Sequence, residues 1–204
     1  MDIYLQGLIM GLAYVAPIGL QNLFVINTAL TQTKARVYAT ACIVIFFDVT
    51  LGLACFLGVG AIMSASIWLE RIILFIGSLI VIWIGIGLVK DKETTMDNNT
   101  KVDIPILKVV TTACVVTWFN PQALIDGSMM LGAFKATLPA GTDFFFIGGF
   151  ASASILWFLS VSTIISLFSA KFTNKTLRYI NVVCGTIIII YGIKLFVNFV
   201  QLFV

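Results

Sequence analysis

Long apolar stretches alternate with short polar segments along the whole chain. Crossing the hydrocarbon core of a bilayer as a helix takes about 20 consecutive, mostly apolar residues. Stretches of this length or longer cover residues 3–30, 37–64, 67–89, 106–133, 143–169 and 177–203. The pattern therefore predicts six transmembrane helices joined by short connections. The first stretch has no basic residues before it and no small-residue cleavage site, so we expect it to be a retained helix and not a signal peptide.

Composition leads to the same class of protein. Hydrophobic residues make up 60% of the chain, charged residues only 10%, and the mean hydropathy is +1.10. A soluble domain of 204 residues does not have this balance. We predict an all-α integral membrane protein whose surroundings are the lipid bilayer, with no nucleic acid as a partner and with its function inside the helix bundle.

The distribution of Lys and Arg predicts the orientation of the helices. Short cytoplasmic loops collect basic residues. Nine basic residues fall in the first, third and fifth connections, namely Lys34, Arg36, Lys90, Lys92, Lys101, Lys108, Lys171, Lys175 and Arg178. Arg71 and Lys135 fall on the opposite side. The bias places both chain termini outside the cytoplasm.

Two prolines interrupt apolar stretches at similar places. Pro17 lies in the first predicted span and Pro121 in the fourth. Proline lacks an N–H group and clashes with the carbonyl four residues earlier, so the carbonyls of Ala13 and Thr117 are expected to lack helical partners. Such groups are tolerated at membrane depth where protein or a wet cavity satisfies them. A plain proline kink is the structural alternative.

The two prolines also relate the two halves of the chain. An offset of 104 residues places Pro121 on Pro17, Asp126 on Asn22, Ser152 on Asp48 and Lys194 on Lys90. Three spans per half is an odd number, so the halves would enter the membrane from opposite sides as an inverted repeat. We predict a first three-helix repeat at residues 1–89, a cytoplasmic linker at 90–105 and a second three-helix repeat at 106–204. The first and fourth helices would be broken near Pro17, with Gly19 beside it, and near Pro121.

Two carboxylates are the main candidates for chemistry. Asp48 lies near the middle of the second span and Asp126 follows the second proline. An acid facing lipid costs at least about 2.5 kcal/mol, which favours a functional role. Two acids in one cavity attract a cation or share a proton. The structural alternative is that Asp48 accepts a hydrogen bond from Thr50 or a neighbouring helix and that Asp126 caps a half-helix.

Other residues point to packing more than to chemistry. Lys194 is expected to reach the outer interface, or alternatively to approach one of the acids. The glycines at 7, 11, 85 and 87 and the serines at 152 and 154 favour close helix packing over substrate contact. Gly7 and Gly11 have the spacing of a dimer motif, which would serve equally within one chain. The absence of His and of any paired Cys motif argues against a bound metal or cofactor.

Several motifs in order resemble those of a known transporter family. They are PIGLQNLFV at 17–25, Asp48, VTWFNPQALID at 116–126, GFASASILWF at 149–158 and INVV at 180–183. Together they are similar to the lysine exporter (LysE) family, in its branch that exports lysine and arginine. The resemblance runs from the first span to the last. It implies a secondary transporter in the bacterial cytoplasmic membrane, without an attached ATPase and without enzymatic activity.

The resemblance suggests a mechanism. A basic amino acid would engage Asp48 and Asp126, and Gln21, Asn22 and Asn120 would bind its α-amino and carboxylate groups. The two halves would rock to give alternating access. A cation leaving a cell against about 100 mV costs roughly 2.3 kcal/mol, so proton entry through the same two acids would drive export. A homodimer is plausible by family analogy.

The chain departs from the family pattern at two positions. Leu20 stands where this branch has a second proline, and Phe47 precedes the acid where a small polar residue is common.

Two other functions stay open. The alternative function is a metal-ion or small-cation exporter or channel that uses the same acids with oxygen ligands. A membrane-embedded enzyme would need the two aspartates to act as an aspartyl-protease dyad, because the chain has no His.

Overall fold

The part of the chain that the structure describes consists mainly of helices. A computed structural model describes residues 2–17, 19–58, 67–90, 103–168 and 174–201. We number the α-helices in chain order: α1 Ile3–Val15, α2 Leu20–Thr31, α3 Lys34–Phe56, α4 Ile67–Lys90, α5 Ile106–Trp118, α6 Pro121–Gly127, α7 Ala133–Thr137, α8 Asp143–Phe168 and α9 Asn174–Gln201. A π-helical turn, Ser128–Gly132, connects α6 to α7. Within the described ranges the fold is therefore all-helical.

Each predicted apolar stretch corresponds to one helix or to a group of consecutive helices. By length and composition, α3 and α8 are each able to cross a membrane, and α1 with α2 would form a third span if the pair is counted as one. Helices α4 and α9 contain shorter apolar segments, at 75–87 and 185–201. The count of six spans stays a prediction, as does the orientation of the termini. Most of the predicted linker, at 91–102, lies outside the described residues.

The first helical stretch is divided where Pro17 stands. Helix α1 ends at Val15, α2 begins at Leu20, and the two axes differ by 76°. Gly19 is the N-cap of α2 and has an extended backbone with φ −117° and ψ −170°. A Cβ atom there would meet only the Pro17 carbonyl oxygen, at 4.0 Å. Neither the backbone angle nor packing therefore requires glycine at position 19.

The second division lies between α5 and α6. Helix α5 ends at Trp118 and α6 begins at Pro121, which stands in the first turn where a missing N–H costs no helical hydrogen bond. The Thr117 carbonyl was expected to lack a partner. It accepts the backbone N–H of Asn120 at 3.4 Å, so the expectation of a free carbonyl is wrong at this position.

Glycines bring helix α1 into backbone contact with α8. A Cβ atom on Gly7 would overlap the carbonyl oxygen of Phe146, and one on Gly149 would overlap the carbonyl oxygen of Tyr4. A Cβ on Gly11 would lie 2.6 Å from that of Ala153. The spacing of Gly7 and Gly11 thus serves packing within one chain.

A second glycine contact joins α4 to α9. A Cβ atom on Gly85 would lie 2.9 Å from the Gly185 carbonyl oxygen, and one on Gly185 would lie 2.8 Å from the Gly85 carbonyl oxygen. A Cβ on Gly87 would meet nothing within 4 Å, so packing does not explain that glycine. Helix α3 packs against both α5 and α8. Helices α1, α3 and α4 from the first half therefore each pack against a helix of the second half.

Buried apolar side chains of the described residues form three clusters. The first is centred on Leu20, Val81 and Ile188, the second on Phe56, Phe146 and Phe150, and the third on Val15, Val25, Val44, Ala113 and Phe158. Large apolar side chains also cover the outside, among them Phe46, Trp83, Phe144 and Ile190. An apolar exterior over a packed interior fits a protein surrounded by lipid.

A polar clasp lies at one end of the bundle. The Asp103 carboxylate accepts the backbone N–H of Thr33 at 3.0 Å and the Thr33 hydroxyl at 2.7 Å. The Arg36 Nε lies 3.8 Å from the same carboxylate. The Ile104 N–H donates to the Gln32 side-chain oxygen at 2.8 Å. These contacts hold the segment before α5 against the start of α3.

Candidate functional site

Asp48 lies at the centre of the candidate site and has no solvent exposure. Its Oδ1 accepts a hydrogen bond from the Gln21 side-chain amide on α2 at 3.2 Å. Its Oδ2 accepts a hydrogen bond from the hydroxyl of Ser154 on α8. In the part of the chain that the structure describes, no Lys or Arg nitrogen contacts this carboxylate. The site thus provides an acid, two neutral donors and no cationic side chain.

Gln21 links the acid to a third helix. Its Nε2 also donates to the Thr117 hydroxyl oxygen on α5, at 2.9 Å. Gln21 lies in the first turn of α2, and Thr117 is the residue before the last in α5. The three side chains of Gln21, Asp48 and Thr117 therefore connect the two helix breaks through one amide group.

Asn22 holds the first break together. Its Nδ2 donates to the Val15 carbonyl at 2.9 Å and to the Pro17 carbonyl at 2.8 Å. Its Oδ1 accepts the Trp157 indole N–H from α8 at 2.8 Å. Both amide hydrogens are thus used on backbone carbonyls that have no α-helical partner at the end of α1. Substrate contact by Asn22 stays a prediction, and the bonds in the structure support a structural role.

Asn120 differs from Asn22 because its oxygen is available. The residue is 7% exposed, precedes Pro121 and is the N-cap residue of α6, although its side chain makes no capping hydrogen bond. Its Oδ1 is buried without a hydrogen-bond partner among the described residues. A buried acceptor of this kind is suited to an ammonium or guanidinium group.

Asp126 is half-buried and lies near the C-terminal end of α6. It does not cap the N-terminus of that helix, because Asn120 occupies the N-cap position. The Tyr14 hydroxyl donates to the Ala123 carbonyl of α6 at 3.1 Å. Asp126 therefore lies on the helix that Tyr14 connects to α1, whereas the hydrogen bonds of Asp48 go to α2 and α8.

Three residues of the site were missed or set aside by reasoning from the sequence. Ser154 was assigned to packing, Thr117 was considered only for its carbonyl, and Trp157 received no role. The offset between repeats pointed to Ser152, whose hydroxyl instead donates to the Gly148 carbonyl at 2.9 Å and accepts the Tyr4 hydroxyl at 2.8 Å. The three-residue spacing of Ser154 and Trp157 places both on one face of α8, and this was the available signal.

Two structural alternatives for the acids are also resolved. Thr50 does not donate to Asp48, because its hydroxyl donates to the Phe47 carbonyl at 2.9 Å. The bonds to Asp48 come from the neighbouring helices α2 and α8, as the other alternative proposed. Lys194 is exposed on α9 and makes no contact with Asp48. Within the described ranges, no three His, Cys, Asp or Glu side chains group as a metal site would require.

Comparison with known proteins now identifies the family. The profile of the family described as "LysE type translocator" matches residues 12–198 of the chain. This chain belongs to the LysE family. The family assignment indicates a translocator, and the apolar helices fit a membrane transport protein.

Individual relatives extend this LysE assignment. The arginine exporter protein ArgO of Shigella flexneri is 30% identical over 199 residues, covering 94% of this chain and 92% of the relative. ArgO of Enterobacter sp. (strain 638) is 30% identical over 191 residues, covering 90% and 88%. ArgO of Escherichia coli (strain K12) is 29% identical over 199 residues. No solved structure matches this LysE chain.

Proposed function

We propose that this LysE-family protein exports basic amino acids, arginine or lysine, across the bacterial cytoplasmic membrane. The single observation that carries the proposal is the environment of Asp48, a fully buried carboxylate with two neutral donors and no contact to Lys or Arg in the described ranges. Burying an ionised carboxylate without a counter-ion is unfavourable. A substrate with a guanidinium or ammonium group supplies the missing charge, and the ArgO relatives are named for such a substrate.

The other polar groups complete a binding site for an amino acid. The free Oδ1 of Asn120 accepts from a cationic group, and Asp126 supplies a second acid near the other helix break. Gln21 already contacts Asp48 and is half-buried, so it is placed to exchange that bond for one to the substrate. The helix ends at Gly19 and Pro121 leave backbone N–H and carbonyl groups without α-helical partners, which suits the α-carboxylate and α-amino groups.

Alternating access explains how a substrate reaches an acid that has no solvent exposure. The helices around Asp48 must separate on one side and then on the other for a solute to enter and leave. Helix α1 packs against α8, α3 against α5 and α4 against α9, so each pair joins one helix from each half. This pairing of the halves supports an inverted repeat whose halves move against each other. The division into repeats at 1–89 and 106–204, joined by a cytoplasmic linker, is part of this proposal.

Proton entry supplies the driving force. Moving one positive charge outward against an inside-negative potential of about 100 mV costs roughly 2.3 kcal/mol. In the proposed cycle, Asp48 and Asp126 release a proton to the cytoplasm when the cationic substrate arrives. They take up a proton from outside after the substrate leaves. In this cycle each acid is neutralised either by a proton or by the cationic substrate. Neither acid is left as an unpaired charge in the membrane interior.

The test is efflux of radiolabelled arginine and lysine from proteoliposomes that contain the purified protein. Asp48→Asn, alone and with Asp126→Asn, should abolish efflux, whereas Asp143→Asn at the start of α8 should leave it unchanged. An inward proton gradient should accelerate efflux by the wild type. Unchanged efflux in the double variant would contradict the role of the acids. Transport of divalent cations without either amino acid would favour the cation exporter instead.

A further inference from the structure

Thr117 makes a hydrogen bond of a different kind from those of four other helical threonines in the described ranges. Thr28, Thr40, Thr111 and Thr186 each donate to the carbonyl four residues earlier, as hydroxyl groups in apolar helices commonly do. The Thr117 hydroxyl accepts a hydrogen bond from Gln21, 96 residues away on another helix. Thr117 is also fully buried. Its hydroxyl therefore has a hydrogen-bond partner in the candidate site. Close helix packing alone does not account for this threonine.

We propose that Thr117 is a positioning residue for Asp48, acting through Gln21. The Gln21 Nε2 has two hydrogens, and it lies 2.9 Å from Thr117 Oγ1 and 3.2 Å from Asp48 Oδ1. The carboxylate only accepts, so it selects the amide orientation with the nitrogen toward it. The Thr117 oxygen accepts from the same nitrogen and fixes its position. With the amide reversed, its oxygen would face the carboxylate oxygen. The Thr117 hydroxyl thus keeps a donor directed at the acid that binds substrate.

The place of Thr117 in the chain gives this contact a second consequence. Thr117 stands four residues before Pro121, and its carbonyl accepts the Asn120 N–H at the long distance of 3.4 Å. A movement of α5 relative to α2 at this break therefore shifts the Thr117 hydroxyl and, through Gln21, the donor at Asp48. The second helix break is thereby coupled to the acid. This inference rests on the proposed export function, because positioning of Asp48 is measured through transport.

The experiment compares three single variants in proteoliposomes across a range of internal arginine concentrations. Thr117→Val keeps the shape of the side chain without its hydroxyl, and Thr117→Ser keeps the hydroxyl. Thr111→Val removes an exposed hydroxyl from the same helix and is the matched control. Loss of one hydrogen bond should raise the half-saturating arginine concentration roughly three- to tenfold in Thr117→Val. Thr117→Ser and Thr111→Val should remain close to the wild type.

A second comparison tests whether the effect passes through Gln21. In a Gln21→Leu background the bond from Gln21 to Thr117 is already absent, so adding Thr117→Val should cause no further change. A further three- to tenfold rise would show that Thr117 acts independently and would overturn the inference. Each variant is checked for yield and melting temperature in detergent. If Thr117→Val does not fold, Thr117→Ala provides the variant without a hydroxyl, with the same expected result.

The outcomes separate this inference from the function on which it rests. A wild-type protein that exports neither arginine nor lysine refutes the proposed function, and the role of Thr117 with it. Export by the wild type with equal half-saturation in Thr117→Val and Thr117→Ser refutes the role of Thr117 alone. Both are supported if three results occur together. The wild type exports arginine or lysine; Thr117→Val weakens export and Thr117→Ser retains it. In the Gln21→Leu background, adding Thr117→Val has no further effect.

Discussion

Ser154 donates its hydroxyl hydrogen to Asp48 across 106 residues of sequence, from helix α8 to helix α3. The bond joins the acid of the first half to a residue of the second half inside the bundle. Hydrogen bonds to charged groups contribute roughly 1.5–3 kcal/mol. Since the Gln21 amide makes the other bond to the same carboxylate, Ser154 supplies half of the described hydrogen bonds that hold the acid in place.

Replacing Ser154 should reduce transport, whereas replacing Ser152 should not. Ser154→Ala removes a donor from Asp48 and should reduce arginine transport roughly tenfold or more, because the carboxylate loses one of its two hydrogen bonds. Ser152→Ala removes bonds only to Gly148 and Tyr4, so transport should remain near the wild-type level. Initial efflux rates at matched protein density are the measurement. Equal loss in both variants would contradict a specific role for Ser154.

Asn22 should contribute mainly to the stability of the fold. Asn22→Ala leaves two carbonyls and the Trp157 indole N–H without their partner, which should lower the free energy of unfolding by roughly 2 kcal/mol or more. Asn27→Ala is the control on the same helix, because the Asn27 Oδ1 has no hydrogen-bond partner among the described residues. Melting temperatures of the two variants in detergent provide the comparison. A larger drop for Asn27→Ala would contradict the structural role of Asn22.

A side chain larger than that of glycine at position 7 should disrupt the contact between α1 and α8. Gly7→Val places a Cβ atom against the Phe146 carbonyl, and overpacking of this kind costs roughly 1–3 kcal/mol. For a chain of this size the melting temperature should fall by roughly 2–12 °C. Gly87→Val, with open space around it, should melt close to the wild type. The reverse order would mean that the two helices do not meet at Gly7.

The clasp at Asp103 should contribute modestly to stability. Asp103→Ala removes both bonds to Thr33, and we expect a loss of about 1 kcal/mol, typical of a side chain that satisfies backbone near a helix start. Asp103→Asn keeps one acceptor oxygen and should lie between Ala and the wild type. The contact to Arg36 is long at 3.8 Å and partly exposed, so added salt should change stability little. Thermal unfolding at low and high salt tests both statements.

The helices and the family were largely predictable from the sequence. Apolar runs determine where helices form in lipid, so the predicted stretches agree with the described helices to within a few residues at most ends. The principal exception is the second stretch, which was predicted to continue to residue 64, whereas α3 ends at Phe56 and residues 59–66 lie outside the described ranges. Asp48 was identifiable for a similar reason, since a midspan acid is unfavourable without a role.

The partners of Asp48 were not predictable from the sequence. The register between helices far apart in the chain depends on packing, and here glycines such as Gly11 and Gly52 set how closely helices approach α8. The internal repeat relates backbone positions only approximately, so it indicated Ser152, two residues from the hydroxyl that donates to the acid. The different roles of Asn22 and Asn120, one with its groups occupied and one with a free oxygen, depend on side-chain orientation that residue type does not specify.

The backbone contact between α1 and α8 bears on how the protein is made. Tyr4 and Ser152, which meet at this contact, are 148 residues apart, so α1 enters the membrane long before its partner is synthesised. At about 5–20 residues per second, roughly 7–30 seconds pass between synthesis of the two residues. During that interval the glycine surface of α1 is without the helix against which it packs in the folded chain.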